Sequence, residues 1–230
     1  MNNSKISAII VILVTFLFIS CPPAGAGDET SKVGDAIEVM SDIMAIPEKS
    51  IPPSLLNHAY AVAVIPNVIK GGFVLGGRYG WGVLVVKTKD RKWSAPAFLS
   101  ITAGSVGYQI GVQSIDVILV FKSKKSVDRI TKGKFTLGAD ASIAAGPVGR
   151  AASAGTDIRL EAEIYSYSRS RGLFAGVSLE GSALKIKDES NRLFYHKEVI
   201  SAVDIFENID ITVPEVAKQF MKTMTKYTAR

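Results

Sequence analysis

From residue 30 to residue 45 the apolar positions Val33, Ile37, Met40 and Met44 recur at three- and four-residue intervals, with Asp35, Glu38 and Asp42 between them. That spacing predicts an amphipathic helix, and Pro47, which has no amide hydrogen to donate, ends it. Pro52-Pro53-Ser54 opens a second, shorter helix around Leu55 and Leu56. From Tyr60 the texture changes to short β-branched and aromatic runs punctuated by glycine, which predict strands over 60–65, 72–77, 82–87, 97–102, 108–113 and 115–122. A short helix over 126–132 with Ser126 as its cap follows, then strands over 135–144, 158–167 and 173–186. The chain returns to helix over 199–206 and 214–227, where Pro214 stands at a helix start.

Glycine weakens a strand unless a bulge, a bend or a close backbone contact uses it. Gly71, Gly72, Gly76, Gly77, Gly80 and Gly82 recur beside aromatic residues, as do Gly104, Gly107 and Gly111. The pattern predicts an α+β fold: a strongly curved, glycine-rich antiparallel sheet or half-closed barrel, with N- and C-terminal helices packed at its ends. No fixed-period repeat is evident, which argues against a solenoid or propeller.

The first stretch stands outside that core. Lys5 precedes an apolar run from Ile6 to Ile19, and Cys21-Pro22-Pro23-Ala24-Gly25-Ala26 follows, which reads as a secretory signal over residues 1–26 before a single domain over 27–230. Two cleavages stay open. Ala24-Gly25-Ala26 fits the pattern that releases a soluble protein, and the prolines before the cut suit it. Phe18-Ile19-Ser20-Cys21 resembles a lipobox and would leave a lipidated Cys21. Either way the expected location is the periplasm or the periplasmic face of an envelope membrane.

Composition adds two constraints. Of 230 residues, 47% are hydrophobic and 21% charged, which suits one packed core, and the single cysteine rules out an intramolecular disulfide. The formal charge is +6; without residues 1–26 it becomes about +5, the 27 basic residues less Lys5 set against 21 acidic ones. A modest positive excess favours anionic partners. Nucleic acid is not expected, because the basic residues are not interleaved with an aromatic recognition motif.

Several stretches together carry a family resemblance. Gly71–Val83, Trp93–Ala97, Leu137–Asp140, Ala145–Arg150, Tyr165–Gly181 and Asn191–Tyr195, in this order and spacing, resemble the SYLF domain family. That resemblance implies a non-enzymatic lipid-binding module: phosphoinositide-binding in eukaryotic members, actin-binding in fungal ones, and exported in many bacterial ones. Eukaryotic members use a lysine-rich N-terminal helix toward head groups, whereas here Lys32 stands against Glu29, Asp35, Glu38 and Asp42. An acidic face is repelled by an anionic membrane.

Other basic positions are therefore the candidates for lipid head groups. Lys122, Lys124, Lys125, Arg129 and Lys132, with Lys134, cluster about the short predicted helix. Arg169 and Arg171 sit in the most distinctive motif and can present guanidinium groups to phosphate or pair with Glu161 or Glu180 across the sheet. Lys218, Lys222 and Lys226 repeat every four residues on the last helix beside an apolar stripe of Phe220, Met224 and Tyr227. That helix is a membrane-surface candidate, or a docked terminal helix with a solvated lysine face. Trp81 and Trp93 read as core fillers.

Searches for chemistry return little. His58 and His196 form no HExxH pair, Walker A is absent, and Gly77–Gly82 has neither the spacing nor the strand-to-helix context of a dinucleotide fingerprint. Neither a catalytic site, a metal site nor a cofactor is expected. The sequence thus points to an anionic-phospholipid-binding module of the cell envelope, with an alternative beside it: a protein-interaction module that meets an acidic envelope partner.

Overall fold

The computed structural model describes residues 26–47, 50–148, 161–170, 173–174 and 179–228. The expected signal segment, Cys21 and Arg171 lie outside them. In chain order the elements are α1 (Ala26–Ala45), α2 (Pro53–His58), β1 (Ala61–Val86), β2 (Ala97–Phe121), α3 (Lys124–Thr131), β3 (Phe135–Thr136), β4 (Ile143–Ala145), β5 (Ile164–Ser170), β6 (Leu173–Phe174), β7 (Ala183–Ile186), α4 (Asp188–Tyr195), α5 (Ala202–Glu207) and α6 (Glu215–Thr228). The fold is α+β, built on a strongly curved seven-stranded sheet whose helices come from both ends of the chain.

The predicted short strands over 60–87 are one strand of 26 residues, and those over 97–122 are one of 25. They pair antiparallel from Ala61↔Phe121 to Leu84↔Ala97, with register shifts between Ile65 and Val68 and between Gly72 and Val74. The glycines bend the ribbon, as the curved-sheet reading expects, but do not end the strands. Its two ends meet, since the Lys87 amide donates to the Tyr60 carbonyl at 2.7 Å. At Gly82 an added Cβ would lie 2.1 Å from the Val64 carbonyl oxygen and 2.7 Å from Ile65 Cα, so the first turn of β1 lies directly on its last. Only a residue with no side chain permits that approach.

The ribbon doubled on itself explains why strand alternation is missing from its ends. Ala61–Ile65, Val83–Val86 and Val117–Phe121 are buried on both faces, so both sets of alternate side chains must be apolar. β2 is the spine: one part of its free edge takes β7 (Leu99↔Ile186) and another takes β5 (Phe121↔Ile164), with β3 beyond β7 and β4 and β6 beside β5.

Other expectations shift for local reasons. The predicted strand over 135–144 is cut into β3 and β4 by a turn at Gly138, whose φ of +85° suits glycine. The predicted 173–186 strand contains β6 and β7, with Gly181 at φ +76° just before β7. The short helix begins at Lys124 with Ser123 as its cap residue, and Ser126 is buried inside it. α4 went unpredicted, because its apolar residues Leu193, Phe194 and Tyr195 are bunched at one end.

α1 buries Val33, Ala36, Met40 and Ile43 against β1 and α6. α6 answers with Ala217, Phe220, Met224 and Tyr227, and the Trp93 indole donates to Thr228 Oγ1 at 3.2 Å. α5 is closed at its start by a capping box, Ser201 with Asp204, and by Ile200 and Ile205, both buried.

Candidate functional site

α3 has one apolar side and one basic side. Val127, Ile130 and Ser126 face inward, while Lys124, Lys125 and Arg129 are exposed, with Lys132 and Lys134 just after the helix and Lys122 just before it. The reason is helical spacing: 127 and 130 fall on one stripe, and 124, 125, 129 and 132 fall around the rest.

Acidic neighbours take up part of this charge. Lys124 Nζ donates to both Asp128 oxygens at 2.6 and 2.7 Å, and that hydrogen bond is the main cause of its raised pKa. Arg129 Nη1 donates to the Asp140 carbonyl at 2.8 Å and stands 3.6 Å from its Oδ1. Glu207, at the end of α5, lies near enough to act electrostatically on Lys124 and on Tyr60. Tyr60 itself is raised chiefly by burial. Lys122 Nζ sits 6.0 Å from the Tyr165 ring centroid, a loose cation–π contact. Lys125 and Lys132 make no ion pair among the described residues. A basic excess therefore remains on this surface.

Arg169 does not belong to it. Its Nη1 donates to Asp42 Oδ2 at 2.6 Å, and its Nη2 and Nε donate to Asp116 Oδ2 at 3.2 and 3.3 Å. Asp116 Oδ1 in turn accepts from the amide of Asn67, whose φ is +54° at the first register shift of β1. The guanidinium is thus committed to carboxylates and ties α1 to the sheet, so it is withdrawn from the head-group candidates. The partners are Asp42 and Asp116, not Glu161 or Glu180, because Arg169 pairs directly with Asp116 across β2 and β5.

Lys218, Lys222 and Lys226 are exposed on α6, with Lys218 3.3 Å from Glu215. The apolar stripe beside them is buried in the core, so it is not available to a bilayer. Of the two readings left open for α6, the burial fits the docked terminal helix with a solvated lysine face and not the membrane-lying one: its amphipathicity serves docking on α1. Trp93 is 3% exposed and is a core residue; Trp81 is only partly buried and packs on Phe98 with ring centroids 5.9 Å apart. Among the described residues no group of His, Cys, Asp and Glu side chains is arranged to hold a metal ion. His58 Nδ1 is 2.7 Å from the Ser54 carbonyl, a local helix contact.

Sequence reasoning missed the acids that neutralise Arg169, because they lie 127 and 53 residues away and no local signal connects them. It also passed over the surroundings of Trp81. The one available signal was Lys185, a charged residue within the alternating Ala183-Leu184-Lys185-Ile186 strand.

A curved sheet closed by helices, with a basic outer surface, defines a binding module. The comparisons say which one. The chain belongs to the Ysc84 family: the family model described as "Las17-binding protein actin regulator" matches residues 102–227. The resemblance to the SYLF family is thereby borne out. SH3 domain-containing YSC84-like protein 1 of Xenopus laevis is 34% identical over 211 residues, 90% of this chain and 62% of that protein. The human protein of the same name is 34% identical over the same length, 90% of this chain and 61% of its own. Protein YSC84 of Saccharomyces cerevisiae is 40% identical over 151 residues, 64% of this chain and 32% of that protein. The chain spans about 62% of the length of the first of these relatives. The family description is that of a binding protein, and these relatives are named for an SH3 domain or for the family itself, not for a reaction.

Proposed function

We propose that this protein is a non-enzymatic module that binds anionic phospholipid surfaces of the cell envelope, through the basic side of α3. The observation that supports it is the exposed set Lys122, Lys124, Lys125, Arg129, Lys132 and Lys134 around one short helix, in excess of Asp128, Asp140 and Glu207. Each basic side chain near an anionic membrane contributes about 1 kcal/mol, so a cluster of this size gives weak, salt-sensitive adhesion. The buried Val127 and Ile130 hold the helix with its basic side outward. Export to the envelope, as a soluble or lipidated form, belongs to the same proposal.

Flotation with phosphatidylglycerol vesicles and with phosphatidylcholine vesicles tests it. Recruitment to the anionic vesicles alone, lost at high salt and lost in Lys125→Glu/Lys132→Glu, is the expected result. Equal or absent flotation with both vesicles rejects it. One observation favours a second reading, in which the same surface meets an acidic protein: the family description names a protein partner. In that case the charge-reversed variant loses the protein partner and vesicle charge has no effect.

A further inference from the structure

The closed ribbon brings three strand ends to one place. The Tyr60 amide donates to the Phe121 carbonyl at 2.8 Å and the Lys87 amide donates to the Tyr60 carbonyl at 2.7 Å, so the start of β1, the end of β1 and the end of β2 lie side by side. Neighbouring strands are about 4.8 Å apart, which puts Lys87 and Phe121 about 10 Å from each other. From Phe121 the chain runs on into the basic residues of α3. From Lys87 it runs on into a turn, residues 88–92, that shares no residue with the α3 surface.

That turn is basic, and it projects. Lys89, Asp90, Arg91 and Lys92 are all exposed, which marks a tip and not a groove. Three cations stand there against one acid, and among the described residues none of the four forms an ion pair. The charge is felt nearby: the pKa of Lys87 is lowered first by burial and then by Arg91. The turn is also held firmly. Its Thr88 amide donates to the Lys92 carbonyl and its Arg91 amide to the Thr88 carbonyl, both at 2.9 Å. At its base Lys87 Nζ donates to the Leu56 and Asn57 carbonyls at 3.1 and 2.6 Å, and the buried Trp93 is fixed by its bond to Thr228.

Arg91 sits where folding alone would favour glycine. Its φ is +59°, the left-handed conformation that short hairpin loops usually give to a residue without a side chain. A side chain in that conformation costs stability, and such a cost is kept where the side chain is used. An exposed guanidinium on a rigid tip can give a phosphate two parallel N–H donors.

We infer that the 88–92 turn is a second point of contact with an anionic membrane surface, Arg91 donating to lipid phosphate with Lys89 and Lys92 beside it. Turn and α3 then meet one plane, and the module stands on this end of its sheet. The inference rests on the proposed recruitment through α3. A plane of phosphates suits cations spread over the ends of neighbouring strands. An acidic peptide is held by a groove or an open strand edge, and a projecting tip closed by its own hairpin bonds offers neither.

The test titrates the whole chain with phosphatidylglycerol vesicles at low salt, with phosphatidylcholine vesicles as the control. Lys89→Ala/Arg91→Gly/Lys92→Ala should need about tenfold or more lipid for half recruitment than the wild type, with an unchanged circular dichroism spectrum. Arg91→Gly alone should raise the melting temperature and still weaken recruitment about fivefold, the worth of one basic residue near an anionic surface. Wild-type recruitment of the triple variant overturns the inference and leaves the α3 reading standing, whereas a wild-type chain that ignores phosphatidylglycerol defeats both. If Arg91→Gly melts below the wild type, or binds vesicles like it, the arginine is a structural residue and the inference fails. It fails too if the triple variant loses binding to poly-L-glutamate while vesicle recruitment stays intact, which would assign the turn to an acidic protein.

Discussion

Arg169 on β5 and Asp42 on α1, 127 residues apart in the chain, meet in an ion pair of 2.6 Å. The same guanidinium holds Asp116, which holds the Asn67 amide at the bend of β1. One side chain therefore links the N-terminal helix, the central strand and the place where the ribbon first changes register. Burial disfavours its charge, yet its pKa is raised on balance, because the hydrogen bond to Asp42 and the two carboxylates together outweigh desolvation.

Loss of this clasp should cost stability unequally. Asp42 is 43% exposed, so Asp42→Asn should cost no more than about 1 kcal/mol. Arg169→Ala also strands Asp116, which is 15% exposed, and should cost about 2 kcal/mol. Urea unfolding of both variants checks the order; a larger loss for Asp42→Asn would contradict this account.

Gly82→Ala should destabilise by about 3 kcal/mol, since the new methyl meets backbone atoms of Val64 and Ile65 that have nowhere to go. Gly34→Ala is the control, for among the described residues nothing lies within 4 Å of its Cβ inside α1. It should stabilise by about 0.5–1 kcal/mol through the lower entropy of the unfolded chain. Thermal melts of the two should move in opposite directions.

The last helix separates docking from membrane contact. Phe220 is fully buried, so Phe220→Ala should cost about 3–5 kcal/mol. Lys222→Glu, on the exposed side, should change stability by less than about 0.5 kcal/mol. If vesicle flotation depended on Lys222 as strongly as on Lys125, the placement of the binding surface at α3 would be wrong.

Asp204 gives a pH signature. Hydrogen bonds from the Ser201 hydroxyl and amide hold its carboxyl below the usual carboxylate range. A carboxyl more acidic in the folded chain than in the unfolded one contributes stability above its unfolded pKa, and the contribution fades as pH falls through the lower folded value. Ser201→Ala should cost about 1 kcal/mol at neutral pH, with the difference from wild type shrinking in acid. Chemical denaturation across the acid range measures it; a difference that grows in acid would refute the capping role.

Much of this was legible locally. Val33 and Met40 announce α1 by spacing alone, Pro214 marks the start of α6, and the basic cluster about α3 needs only its neighbours in sequence. Strand lengths were not legible, because a glycine that breaks a strand and one that lets it bend read alike. What separates Gly82 from a break is the Val64 carbonyl, 18 residues earlier, lying against it. The fate of Arg169 was likewise open until Asp42 and Asp116 were placed beside it.

Periodicity and turn chemistry act over a few residues, so residue order alone was enough for every helix but α4, for the α+β class and for the family. Which charges are spent and which remain available depends on distances between remote residues. The closing of the β1–β2 ribbon sets those distances: it buried the stripe of α6, paired Arg169, and left the lysines of α3 facing water.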